Sequence, residues 1–150
     1  MKNIHSIHLS VFVKPEEDCE KLKSTFLSFF PFNLEKEKII LKETNATGFQ
    51  EQIIKILEVI LDKEKHIALF LDDLLQKLEP EKKELLLRQK ESRLDEDNFF
   101  FMRFDKNHLL NENRLFIVDT GNCFHLKMHI ASYPAKREKA LEVVQEIFKT

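Results

Sequence analysis

The 150-residue chain has only two glycines, two cysteines, four prolines, one tyrosine and no tryptophan. Each scarcity excludes something. Phosphate-cradling loops and dinucleotide-binding turns need several closely spaced glycines, and the isolated Gly48 and Gly121 do not supply them. Cys19 and Cys123 are too few for a disulfide scaffold. They fit a reducing, cytoplasmic setting. No apolar run approaches the roughly 20 residues that span a bilayer, so no membrane contact is expected. The opening Met1-Lys2-Asn3-Ile4-His5-Ser6 lacks the apolar core of a signal peptide, and no export signal is expected. No low-complexity linker or internal repeat interrupts the chain, which predicts a single domain over residues 1–150.

Hydrophobic residues make up 43% and charged residues 33%, with 14 phenylalanines among them. That apolar content excludes a disordered chain. A net charge of −2 argues against a generic polyanion binder. The charge is unevenly spread, however. Residues 1–14 hold Lys2 and Lys14 and no acid; residues 121–137 hold Lys127, Lys136 and Arg137 and no acid. The same stretches carry His5, His8, His125 and His129. If they meet in space, one basic edge stands on an acidic body.

Alternation predicts a strand over residues 4–13, with Ile7, Leu9, Val11 and Val13 on one face and Ser6, His8 and Ser10 on the other. Pro15 and the acids after it predict a helix start, and Pro31 its close. A strand is expected at 38–44, then a turn at Asn45-Ala46-Thr47-Gly48. Residues 53–61 fit a strand by β-branched content, although Ile53, Ile56, Leu57 and Ile60 also fit a helical face. Helices are expected at 63–78 and from Pro80 to about Arg93. Residues 98–105 and 122–131 read as strands, the second with Cys123, His125, Lys127 and His129 on one face. Pro134 is expected to open the last helix. The order β-α-β-β-α-α-β-β-α predicts an α+β domain: an antiparallel sheet of about five strands with helices packed on one face.

Four constellations bear on chemistry. Cys123, His125 and His129 have the ligand types zinc takes. However, His129 lies ~13 Å beyond His125 at strand spacing, so a polar sheet face and no metal is the expectation. No nucleophile elbow, phosphate loop or zinc-hydrolase helix is present, so catalysis is not expected and no catalytic residue is assigned. Phe99, Phe101 and Arg103 share one face of their strand, as His125, Lys127 and His129 do of theirs. Such a face suits RNA, cations to phosphates and rings to unpaired bases. Phe99 and Phe101 equally suit a core or a homodimer interface. Finally, Lys136 and Arg137 at the entry of the last helix suit a phosphate at the positive end of its dipole, or simply solvated helix entry.

Several segments together resemble a small archaeal family described as RNA-binding proteins or predicted exosome subunits. They are Lys14-Pro15-Glu16-Glu17-Asp18, Arg93-Leu94-Asp95-Glu96-Asp97-Asn98, Arg103-Phe104-Asp105-Lys106, Asn113-Arg114-Leu115, and Ala131-Ser132-Tyr133-Pro134-Ala135-Lys136-Arg137-Glu138. Gly48-Phe49-Gln50-Glu51-Gln52 departs from the family's glycine- and asparagine-bearing loop. The resemblance implies a fold similar to ribosomal protein L-five and a role beside the archaeal RNA-processing exosome. It implies no cofactor and no catalytic residue. Arg103, Lys106, Lys136 and Arg137 match family positions. The combined expectation is a non-enzymatic binder of structured RNA through Lys14, Arg103, Lys106, His125, Lys127, His129, Lys136 and Arg137. The alternative is a protein-interaction or homodimerisation module that buries Phe99 and Phe101.

Overall fold

The computed structural model describes residues 3–149, the side chain of Phe49 excepted. The elements run β1 (Ile4–Val13), α1 (Cys19–Leu27), β2 (Lys42–Thr47), β3 (Ile53–Leu61), α2 (Glu64–Lys77), α3 (Pro80–Arg88), α4 (Lys90–Arg93), β4 (Phe99–Asp105), α5 (Lys106–Glu112), β5 (Cys123–Ile130) and α6 (Arg137–Phe148). The strands form an antiparallel, open sheet of five in the order β2-β3-β1-β5-β4. The two acid-poor strands, β1 and β5, are therefore direct neighbours. Among the described residues no helix is long and apolar enough to cross a membrane.

The chain divides into two compact units, and β1, β4 and β5 each contribute to both. One unit takes in the start of β1, the stretch from Leu61 to Met102, and the chain from Lys127 onward. Its core joins Phe100 and Met102 of β4 to Phe70 of α2 and Val144 and Phe148 of α6, all buried. Phe100 and Phe148 lie 5.6 Å apart between ring centroids. The other unit holds residues 8–60 and 103–126. Its core gathers around Phe29, whose ring lies 5.9 Å from Phe104 and 5.3 Å from Phe124.

Several boundaries differ from expectation. Residues 14–17 form a turn in which the Glu17 amide donates to the Lys14 carbonyl at 3.0 Å. The helix begins only after Asp18, whose carboxylate caps it by accepting from the Lys21 amide at 3.1 Å. The second strand lies at 42–47 and not at 38–44, so Asn45, Ala46 and Thr47 are strand and not turn. Lys38 has φ 59, which ends any extended run there. The reversal into β3 instead uses left-handed Gln50 and Glu51, closed by the Gly48 amide donating to the Gln52 carbonyl at 2.7 Å. The expected order also lacked α5. The Asp105 carboxylate caps that helix, accepting from the His108 amide at 3.0 Å, and left-handed Asn113 ends it. The last helix starts at Arg137, because Pro134 sits in a preceding turn that the Lys136 amide closes on the Pro134 carbonyl at 2.8 Å.

Candidate nucleic-acid interface

In the first unit, alternation turns Phe100, Met102, Met128 and Ile130 inward, while Phe99, Phe101, Lys127 and His129 face the other way, half-buried. β1 adds His5. Between buried Ile4 and Ile7 stand two consecutive residues, His5 and Ser6, that are not buried. This one-residue slip in the alternation is of the kind a β-bulge makes. The slip brings His5 beside His129, with centroids 5.0 Å apart and planes tilted by 55°. His129 in turn stacks on Phe99 at 4.3 Å and 15°. Neighbouring strands lie ~4.8 Å apart, so rings at matching positions meet at stacking distance. The Lys127 ammonium sits 4.8 Å from the Phe99 centroid, a cation–π contact. Among the described residues it has no carboxylate partner.

The second unit carries a different group. Cys123 Sγ lies 3.6 Å from His125 Nε2, and the Phe12 ring lies 6.0 Å from the His125 ring. Burial, then the positive charges of Arg103 and Lys106, hold the His125 imidazole below its ordinary pKa. Burial pushes the Cys123 thiol up against the opposing pull of those two cations. A protonated thiol beside a neutral imidazole is the reverse of nucleophile activation. His8 Nε2 contacts Glu58 Oε2 at 2.9 Å, which pairs this histidine with an acid. Among the described residues no group of three or more His, Cys, Asp or Glu is arranged to hold a metal ion.

Two expected RNA contacts are drawn elsewhere. Lys106 is buried: its ammonium donates to the Phe12 carbonyl at 2.5 Å and to Glu17 at 3.1 Å. A cation so enclosed serves the fold, because taking it out of water requires these acceptors. Arg137 donates to the Leu94 carbonyl at 2.9 Å and the Glu91 carbonyl at 2.5 Å. Its guanidinium thus satisfies carbonyls at the end of α4, which a helix leaves unpaired, while Arg137 itself stays exposed. Lys136 remains exposed as the residue before α6. Lys14 is half-buried, its amide donating to Glu17 Oε1 at 2.9 Å. Lys2 lies outside the described residues. His5 and Phe12 were absent from the expected set. Their signals were membership of the acid-free opening stretch and, for Phe12, an apolar residue on the polar side of the alternation.

A family model described as RNA binding matches residues 6–130. The chain belongs to this RNA-binding family. The matched span contains Phe99, Arg103, His125, Lys127 and His129 and leaves out Lys136 and Arg137. Among relatives, the RNA-binding protein PAB1135 of Pyrococcus abyssi is 24% identical over 143 residues, covering 95% of this chain and 92% of that protein. The protein MJ0213 of Methanocaldococcus jannaschii is 32% identical over 150 residues, covering 94% and 95%. The crystal structure of AF2318 from Archaeglobus fulgidus superposes with a TM-score of 0.84 at 30% identity, over 96% of this chain and 99% of that one.

Proposed function

We propose that this chain is a non-enzymatic RNA-binding protein that takes RNA on the outward residues of its sheet. The observation that carries this reading is the ring row of Phe99, His129 and His5 with Lys127 over it, in a chain of the RNA-binding family. Rings supply stacking surface and an ammonium without a carboxylate supplies phosphate contact. Arg103 and His125 in the second unit, with exposed Lys136 and half-buried Lys14, are the further phosphate contacts. The resemblance extends the proposal to an L-five-like fold and to work beside the RNA-processing exosome in the cytoplasm. A second reading, a homodimer or protein contact through Phe99 and Phe101, draws on the half-exposed position of both rings.

The test is a titration of a fluorescently labelled RNA with the purified chain at several salt concentrations. Binding that weakens steeply as salt rises, and a smaller slope for Lys127→Gln, are the expected results. A folded chain that binds no RNA at low salt but self-associates independently of salt would replace the first reading with the second.

A further inference from the structure

We infer that the ring row of the first unit takes unpaired nucleotides, the loops, bulges and ends of an RNA, and not duplex; this rests on the RNA-binding reading above. Phe99 and His129 come from neighbouring strands and stack at 4.3 Å with planes 15° apart. Their faces are therefore turned along the sheet and their edges away from it. A base joins such a row by extending the stack or by lying on an end ring, and both need a base whose own face is open. In A-form duplex the base faces are covered by neighbouring pairs, and the narrow major groove does not admit side chains.

Charge points the same way. Duplex recognition without base reading depends on several cations spaced to successive phosphates. On the strand residues of this unit, among those described, Lys127 is the one cation, set against Phe99, Phe101, His129 and His5. Many rings to one cation is the balance of a stacking platform. Lys127, held at 4.8 Å from the Phe99 centroid, stands where the phosphate next to a stacked base would lie.

The experiment compares the full chain on three RNAs: a 12-nucleotide strand that cannot self-pair, its blunt 12-base-pair duplex, and a hairpin with a six-nucleotide loop. The single strand and the hairpin are expected to bind more tightly than the duplex. Phe99→Ala is expected to weaken single-strand binding roughly 5- to 150-fold, the range of one lost base–aromatic stack, and to leave duplex binding unchanged. Phe99→Tyr keeps a ring in place and is expected to hold the single-strand affinity, which separates lost stacking from a folding defect. Equal affinity for strand and duplex, or single-strand affinity unchanged in folded Phe99→Ala, overturns the inference while the RNA-binding reading stands. No binding to any of the three overturns both.

Discussion

Replacing Lys106 with methionine separates a folding lysine from an RNA-contacting one. The side chain is 3% exposed and its partner Glu17 is 21% exposed. Methionine keeps the apolar stem and deletes three contacts of the ammonium, to the Phe12 carbonyl at 2.5 Å and to the two Glu17 oxygens at 3.1 and 3.4 Å. A hydrogen bond from a charged donor to a part-buried carbonyl contributes about 1.5–3 kcal/mol. Removing one partner of a fully buried ion pair costs about 3–5 kcal/mol, but Glu17 meets solvent and keeps the Lys14 amide at 2.9 Å, which lowers its share. The expected loss is therefore about 2–4 kcal/mol, or roughly 5–15 °C in Tm at this chain length. Adding Glu17→Gln removes the stranded charge, so the double variant is expected to be less impaired than the two single losses added together. Urea melts of the four proteins measure both quantities. RNA affinity of folded Lys106→Met should match the parent. A stability loss under about 0.5 kcal/mol, the range of ordinary surface changes, would refute the burial argument. A fall in RNA affinity without a stability loss would return Lys106 to the binding surface.

Two further substitutions test the local chemistry. Arg137→Ala deprives the Leu94 and Glu91 carbonyls of their donor, and the expected loss is about 1–2 kcal/mol for two partly solvated bonds; amide exchange should quicken around α4 first, and exchange that quickens uniformly would sink the capping role. At Asp105, burial raises the carboxyl pKa, and the hydrogen bonds and charge of His108 outweigh it and leave it lowered. A lowered folded pKa stabilises above the unfolded carboxylate value of about 3.9 and loses that stabilisation as pH falls through the folded value. Asp105→Asn keeps the helix cap and is expected to be less stable than the parent at pH 7, with the gap narrowing as pH falls below about 3.9 toward the lowered folded value. A gap of constant size across that interval would show that the carboxylate charge contributes nothing.

What alternation records, the sequence displays. Phe100, Met102 and Phe104 are all fully buried as their period-two pattern requires, and Leu57, Val59 and Leu61 decide the strand over the helix for β3. The edge strand β2 has no such record. Its residues, Lys42 to Thr47, pair through backbone with Glu58 to Ile53 and none of them is buried, so the apolar residues just before it drew the strand too early. Ile40, one of them, is 81% exposed. The helix α5 spans seven residues, too few turns for a helical period to stand out.

The candidate interface divides along the same physical line. A side chain within a regular strand has its direction set by parity, and parity grouped Phe99 with Phe101 and Arg103 on one strand, and Lys127 with His125 and His129 on another, without knowledge of the fold. His5 escaped because the slip between Ile4 and Ile7 sits between it and the rest of β1. Lysine and arginine beyond a strand's end obey no parity. Lys106 follows the last residue of β4 and Arg137 opens α6, and each carries a long flexible stem that reaches whichever acceptors the fold leaves unpaired. In both cases these were carbonyls, at Phe12 for one and at Glu91 and Leu94 for the other, and no pattern of charge in the sequence marks a carbonyl as needing a donor. A basic residue read from sequence as a phosphate contact is therefore strongest where a strand fixes its direction and nothing nearby competes for its protons. Lys127, on β5 with the Phe99 ring beneath its ammonium and no acid beside it, meets both conditions.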